Sequence, residues 1–200
     1  MALEIKSYSG RDADRHPGDL MGDLARLRIA VFRDFPYLYD GDLDYERRYL
    51  STYARSEGAV FVLAIDDGHV VGASTGMPMR AETDEVQAPF LAAGRDPSDY
   101  FYFGESVLLP AYRGRGIGVA FFNGREAQAR ALGLPFCTFC AVQRPLDHPR
   151  RPSDYQPLDG FWRKRGYSHH PELATTFSWR DLDEADESPK PLSFWIRDIR

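Results

Sequence analysis

The sequence predicts a single α/β domain built on a mixed, mostly antiparallel sheet with helices on both faces. Three observations carry this reading. A length of 200 residues suffices for one core and a small appendage. Strand-like runs first follow one another directly and then flank a segment of helical period, an order that makes a mixed sheet. No internal repeat, low-complexity tract or linker divides the chain.

Residues 3–8 read as a first strand, followed by a polar turn around Pro17-Gly18-Asp19. Leu20, Leu24, Leu27, Val31 and Phe35 then recur at helical spacing, with Asp19 as N-cap and Pro36 as stop. Tyr45, Tyr49 and Tyr53 repeat every four residues on a second, more polar helix that ends near Gly58. Residues 59–65 and 70–77 are apolar or β-branched runs joined by Asp66-Asp67-Gly68-His69, the pattern of a tight hairpin. Residues 83–94 predict a short helix and residues 100–109 a long strand stopped by Pro110. A helix over 116–132 carries Ile117, Ala120, Phe121, Gly124, Ala127 and Ala131 on one narrow face, and Gly133 closes it. Residues 136–142 form a buried strand. A loop with Pro145, Pro149, Pro152 and Pro157 leads to a short helix over 158–164 and to Gly166. The last strands are expected over 174–179 and 192–199, joined by the acidic, solvated residues 181–187.

At 43% hydrophobic and 28% charged residues, the composition excludes intrinsic disorder. The longest apolar runs, such as residues 59–65, fall far short of the roughly 20 residues of a membrane helix. Residues 1–16 lack the apolar stretch of roughly 7–15 residues that marks a secretory signal, so a cytoplasmic location is expected. The net charge of −5 argues against sequence-independent nucleic-acid binding and favours a basic or amine partner. Cys137 and Cys140, the only cysteines, would project to opposite faces of a strand and have no second ligand pair, so neither a disulfide nor a metal site is expected. Both read as small buried hydrophobes.

The chemistry-bearing segment is Glu105-Ser-Val-Leu-Leu-Pro-Ala-Tyr-Arg-Gly-Arg-Gly-Ile-Gly118, a strand that enters a helix through a glycine-rich turn. Such a turn exposes backbone N–H groups at the positive end of a helix dipole and lets a bulky anion approach, so it is suited to phosphates. Two common phosphate loops do not match. Gly-Lys-Ser/Thr is absent, and Gly114-Arg-Gly116-Ile-Gly118 lacks the G-x-G-x-x-G spacing of dinucleotide folds. No acidic residue follows about 20 positions later, where residues 136–139 stand.

The remaining pattern, Arg113-x-x-Gly116-x-Gly118 after Leu109-Pro-Ala-Tyr112, resembles the GNAT N-acetyltransferase superfamily. A second stretch, Phe161-Trp-Arg-Lys-Arg-Gly166-Tyr167, is similar to that family's Phe-Tyr-x-x-x-Gly-Phe helix end. The resemblance spans most of the chain. It implies acetyl-CoA as co-substrate, with the turn's amides on its pyrophosphate and the preceding strand on its pantetheine arm. The implied contacts are Leu108, Leu109, Arg113, Gly114, Arg115, Gly116, Ile117, Gly118 and Val119. Trp162 stands where many members place the tyrosine that protonates the leaving thiolate, so Tyr155 becomes the candidate acid. Residues 32–44 also resemble a bacterial subgroup of the superfamily.

Glu105 alternates with Phe101, Phe103 and Val107. It is read either as a catalytic carboxylate near the acetyl group or as one hydrogen-bonded in the core or exposed beyond a bulge. Tyr37, Tyr39, Asp40 and Asp42, with Asp44 and Glu46 beside them, lie where the superfamily forms its acceptor wall. They fit a small cationic amine or, alternatively, a solvated acidic face with a helix cap. His148, in the proline-rich loop, is read as a loop histidine with no function or, alternatively, as a base. The expected reaction is acetyl transfer to an amine by direct attack on the thioester, with no nucleic-acid or membrane partner and homodimerisation left open. The competing reading is a non-catalytic acyl-CoA-binding or sensing module, favoured by Trp162.

Overall fold

The computed structural model describes residues 3–13 and 19–200. The apolar alternation of the chain is realised in seven strands, β1 (Glu4–Ser9), β2 (Val60–Asp66), β3 (His69–Pro78), β4 (Tyr100–Leu108), β5 (Phe136–Val142), β6 (Ser168–Trp179) and β7 (Ser188–Asp198). They form one sheet in the order β1-β2-β3-β4-β5-β7-β6. Every neighbouring pair is antiparallel except β4 and β5. The helices are α1 (Gly10–Ala13), α2 (Leu20–Phe32), α3 (Leu43–Arg55), α4 (Asp84–Ala92), α5 (Ile117–Ala131) and α6 (Asp159–Lys164). Part of the stretch read for a leader, and Pro17 and Gly18 of the expected turn, lie outside the described residues.

The two sheet faces have separate cores. Leu24, Leu27, Leu50 and Tyr53 of α2 and α3 close over Phe61 and Leu63 on one side. On the other, Phe121 and Phe122 of α5 meet Val62, Phe103, Phe139 and Trp195. Helix starts follow the sequence signals: Asp19 accepts from Gly22 N–H at 3.0 Å, and Asp42 accepts from Tyr45 N–H at 2.8 Å.

Two irregularities of β4 shape everything near the expected site. Its parallel pairing with β5 covers only Tyr100–Tyr102 against Phe136–Thr138, after which the strands part. On the other edge the register with β3 moves from Ser74 opposite Ser106 to Gly76 opposite Phe103, which places one extra residue in β4. This is a β-bulge at Gly104 and Glu105, and it resets the alternation. Phe103 faces α5, whereas Glu105 and Val107 face α2 and α3.

Three sequence expectations shift. Phe35 lies beyond α2, which ends at Phe32, because Tyr37 and Leu38 N–H groups fold back onto the Asp34 carbonyl. The inner face of α5 is Ile117, Phe121, Phe122, Arg125, Glu126 and Ala129, while Ala127 and Ala131 are exposed. Two charged residues take inward positions there, which rotates the apolar face. The last strands are longer than expected. Pro171 falls in the irregularity between His170 and Ala174, and Pro189 and Pro191 precede the part of β7 that β5 flanks, so no ladder bond on that edge is lost.

Gly104 is required by close approach, because a Cβ there would overlap the Tyr53 phenol oxygen. Gly104→Ala should therefore destabilise the fold by about 1–3 kcal/mol in urea unfolding, the usual cost of overpacking. Unchanged stability would show that α3 can retreat from the bulge.

Candidate active site

The glycine-rich turn leaves β4 through a single helical turn at Pro110–Tyr112. Gly114 and Gly116 adopt left-handed conformations, φ 76° and 79°, which side chains rarely tolerate. Gly116 is the N-cap of α5, and the first backbone bond of the helix runs from Ala120 N–H to Gly116 O at 3.1 Å. The amides of Ile117, Gly118 and Val119 therefore precede the helical ladder and are available to an anion. Arg113 and Arg115 are exposed, with the Arg115 guanidinium 5.1 Å above the Tyr112 ring.

The strand leading into the turn offers backbone groups as well. Leu109 N–H is taken by Val71 O at 3.0 Å, and Leu108 lies opposite Gly72. Ladder alternation then turns the Leu108 peptide group to the other edge, the one β5 has left.

Behind the bulge lies a buried polar cluster between β4, α2 and α3. Arg28 donates to Glu46 through Nε and to Glu105 through Nη1, and its guanidinium lies 4.4 Å from the Tyr49 ring. Tyr49 and Tyr53 hydroxyls lie 3.1 Å apart, and Tyr53 donates to Glu82. Burial raises the Glu105 carboxyl above its ordinary pKa, and the Arg28 charge pulls it back. Burial likewise opposes the Arg28 charge, but Glu105, Tyr49 and Glu46 more than offset it, so the guanidinium stays protonated. Burial also raises Glu82.

Tyr37 adjoins this cluster. Burial raises its phenol, and the Cys140, Tyr155 and Glu105 groups around it act in the same direction. Its carbonyl is held by Arg144 at 2.8 Å and by the Trp179 indole N–H at 3.0 Å. Tyr155 packs edge-on against Phe35 at 4.7 Å under the Arg151 guanidinium, and burial raises its phenol too. Tyr39 is half-buried beside Glu46, with its phenol raised by burial and by that carboxylate. Glu105, Tyr37 and Tyr155 thus share one neighbourhood.

Other residues have different engagements. Asp42 caps α3, and Asp40 pairs with Arg180. His148 accepts from Arg150 N–H at 3.2 Å within its loop. Burial pushes the thiols of Cys137 and Cys140 up to about 12, consistent with packing rather than nucleophilic roles. Trp162 stacks edge-on against Phe139 and Trp195, both at 5.0 Å. Among the described residues no group of three His, Cys, Asp or Glu is arranged to hold a metal, and no helix is long and apolar enough to cross a membrane. Sequence reasoning did not find Arg28, Tyr49, Tyr53, Glu82 or Arg125. The available signal was a charge on an apolar stripe: Arg28 lies four residues after Leu24, and Arg125 four after Phe121.

The acetyltransferase (GNAT) family model matches residues 24–152. Among solved structures, a ribosomal-protein-alanine N-acetyltransferase from Brucella melitensis is 14% identical, with TM-score 0.61 over 98% of this chain and 100% of that one. An aminoglycoside 6'-N-acetyltransferase complexed with coenzyme A is 16% identical, with TM-score 0.61 over 98% and 97%. A candidate acetyltransferase from Salmonella typhimurium, solved with its cofactor acetyl-CoA, is 11% identical, with TM-score 0.58 over 100% and 95%. No curated protein sequence matches the chain.

Arg28 pairs with two carboxylates that are almost wholly buried. Arg28→Met should cost about 3–5 kcal/mol at pH 7, because both acids are left unpaired. Without the cation the Glu105 carboxyl, already raised by burial, rises further, so the deficit relative to wild type should shrink as pH falls through its folded value. Parallel urea titrations of both proteins at pH 5 and pH 7 measure this. A deficit that does not change with pH would contradict it.

Proposed function

The chain belongs to the acetyltransferase (GNAT) family, and from that premise we propose that it transfers the acetyl group of acetyl-CoA to a small cationic amine, the whole chain working as one domain. The observation that carries this reading is a continuity. The strand whose edge opens after Tyr102 runs directly into a turn whose amides precede the helical ladder. A thioester arm laid along that edge would end in phosphates at the turn. Ile117, Gly118 and Val119 supply the amides, Gly114 and Gly116 the close approach, and Arg113 and Arg115 the positive charge.

For the chemistry, the Leu108 N–H is turned to the edge where negative charge develops on the thioester oxygen. An amine with a pKa near 10.4 is protonated at pH 7, so presenting it neutral costs about 4–5 kcal/mol. Glu105 accepts that proton, directly or through one water. As the nitrogen–carbon bond forms and the carbon–sulfur bond breaks, Tyr155 gives its proton to the departing thiolate, and its phenolate takes back the proton that the nitrogen sheds on becoming an amide. The raised pKa of Tyr155 keeps the phenol protonated at neutral pH.

Tyr37 and Tyr39 form the acceptor wall in this reading. Asp40 and Asp42 stand beside them but are engaged by Arg180 and by the α3 cap. The attraction for a cation therefore comes mainly from Glu46, Glu82 and Glu105, which outnumber Arg28. A second reading, a module that holds acyl-CoA without turning it over, is favoured by Trp162, which offers no phenol at the helix end. An assay following thiol release with a panel of amines separates the two.

Gly118 sits inside α5, and a Cβ there would touch only the Phe161 ring at 3.5 Å. Gly118→Val should fold yet weaken acetyl-CoA by about tenfold or more in calorimetry, the worth of a charge-assisted hydrogen bond. Unchanged affinity in the folded variant would remove the turn from the binding site.

The acid limb of kcat/KM should lie above the ordinary carboxylate range, because burial raises Glu105 and activity falls as pH drops through its pKa. Glu105→Gln should abolish that limb and lower kcat about 10²–10⁴-fold while acetyl-CoA still binds. A kcat within about threefold of wild type would make Glu105 a structural acid.

A further inference from the structure

The α5 face of the bulge holds a charge that the reaction sketched above does not use. Arg125 is 1% exposed, and no carboxylate pairs with it among the described residues. Its guanidinium lies over the ring of Phe103, 4.1 Å from the ring centre, and over that of Phe122, at 5.0 Å. A buried cation with no carboxylate bonded to it is costly, so its polar contacts are informative. Nη1 donates to the Glu105 carbonyl at 3.0 Å and reaches the Thr75 carbonyl at 3.5 Å. Nη2 donates to Ser106 Oγ at 2.8 Å, and Nε to the Phe121 carbonyl of its own helix at 3.2 Å. Thr75 is the β3 residue opposite the bulge, and Glu105 and Ser106 lie in it and after it. One side chain therefore joins α5 to both strands at the point where their register changes.

We propose that Arg125 is a positioning residue for acetyl transfer: its guanidinium clamps the β4 bulge and so fixes the direction in which Glu105 presents its carboxylate to the acceptor. This rests on the reading of Glu105 as proton acceptor. A bulge is a local choice between registers, and a one-residue slip would turn Glu105 toward the Phe103 side. A planar guanidinium with several fixed donors holds four acceptors at once, whereas a lysine ammonium is a single point on a flexible stem. Burial lowers Arg125 to about 10, so it remains a cation at neutral pH.

The groups around Glu105 are Arg28 from α2, Tyr37 from the loop after α2, Glu46, Tyr49 and Tyr53 from α3, Glu82 from the turn after β3, Thr75 from β3 and Arg125 from α5. Arg28 and Arg125 are the cations among them, and both favour its ionised form. Removing the Arg125 charge and removing its geometry therefore have different signatures.

The test uses the full chain with Arg125→Lys and Arg125→Met, reading amide hydrogen exchange together with kcat, acetyl-CoA KM and the pH profile. In both variants exchange at Ser106 and Val107 should rise at least about tenfold while Phe61 to Leu63 in β2 stay protected. Both should lose kcat by about ten- to a hundredfold, the scale of a misplaced catalytic group, with acetyl-CoA KM changed far less. The acid limb should move to higher pH in Arg125→Met and stay in place in Arg125→Lys. Wild-type kcat and local exchange in Arg125→Lys would overturn the proposal, and so would protection lost evenly across the sheet with the limb unmoved. If Arg125→Met fails to fold, Arg125→Lys decides by itself. If Glu105→Gln keeps wild-type activity, the proton-acceptor reading has failed separately, and local exchange still reports whether the clamp exists.

Discussion

One extra residue in β4 is the constraint on which the rest of the site depends. With unbroken alternation, Phe101, Phe103 and Glu105 would all face α5, and a carboxylate would lie among the rings of Phe122, Phe139 and Tyr167. The bulge leaves the rings on that face and moves Glu105 to the other, where Arg28 meets it. It also lies just past the last residue that β4 pairs with β5. The strand thus changes face and loses a neighbour within the same few residues, and a sheet that is otherwise continuous gains an open edge leading to the glycine-rich turn.

Burying charge on both sides of this strand demands different solutions. On the α2 and α3 side Arg28 is shared by Glu46 and Glu105, so neither the cation nor the acids stand alone. On the α5 side Arg125 has no acid bonded to it and is instead held by carbonyl dipoles, a serine hydroxyl and two aromatic faces. The ionic arrangement ties two helices to the strand, and the dipolar one ties a third. Both converge on Glu105, one through its side chain and one through its backbone. The loop after β5 adds a further restraint, since Arg144 holds the Pro36 and Tyr37 carbonyls and also pairs with Asp181 at 2.8 Å.

Much of this was legible in the sequence wherever a local rule governs. Helical period and a capping aspartate located α2, and glycine alternation located the turn, because those signals act within a few residues. The bulge could be read only as one alternative for Glu105, since its register is fixed by β3 across the strand and by Arg125 from a helix that comes later in the chain. Glu105 was therefore read against Phe103 and Val107, only the second of which shares its face. Asp40 and Asp42 looked like one acidic surface, but a cap and a distant arginine divide them. Prolines hid the beginnings of β6 and β7, because a proline's cost depends on whether its edge has a neighbour, which only the assembled sheet decides.

In the proposed function acetyl-CoA lies along the edge β4 exposes after Tyr102 and reaches the amides that begin α5. Amide resonances of the labelled full chain, followed while acetyl-CoA is titrated in, test it most directly. The largest shifts should fall on Leu108 and on Arg115 to Val119, with the edge of β5 beyond Thr138 moving with them. Shifts confined to another surface, such as the recess formed by Ser9, Ser56, Gly58 and Gln128, would contradict it.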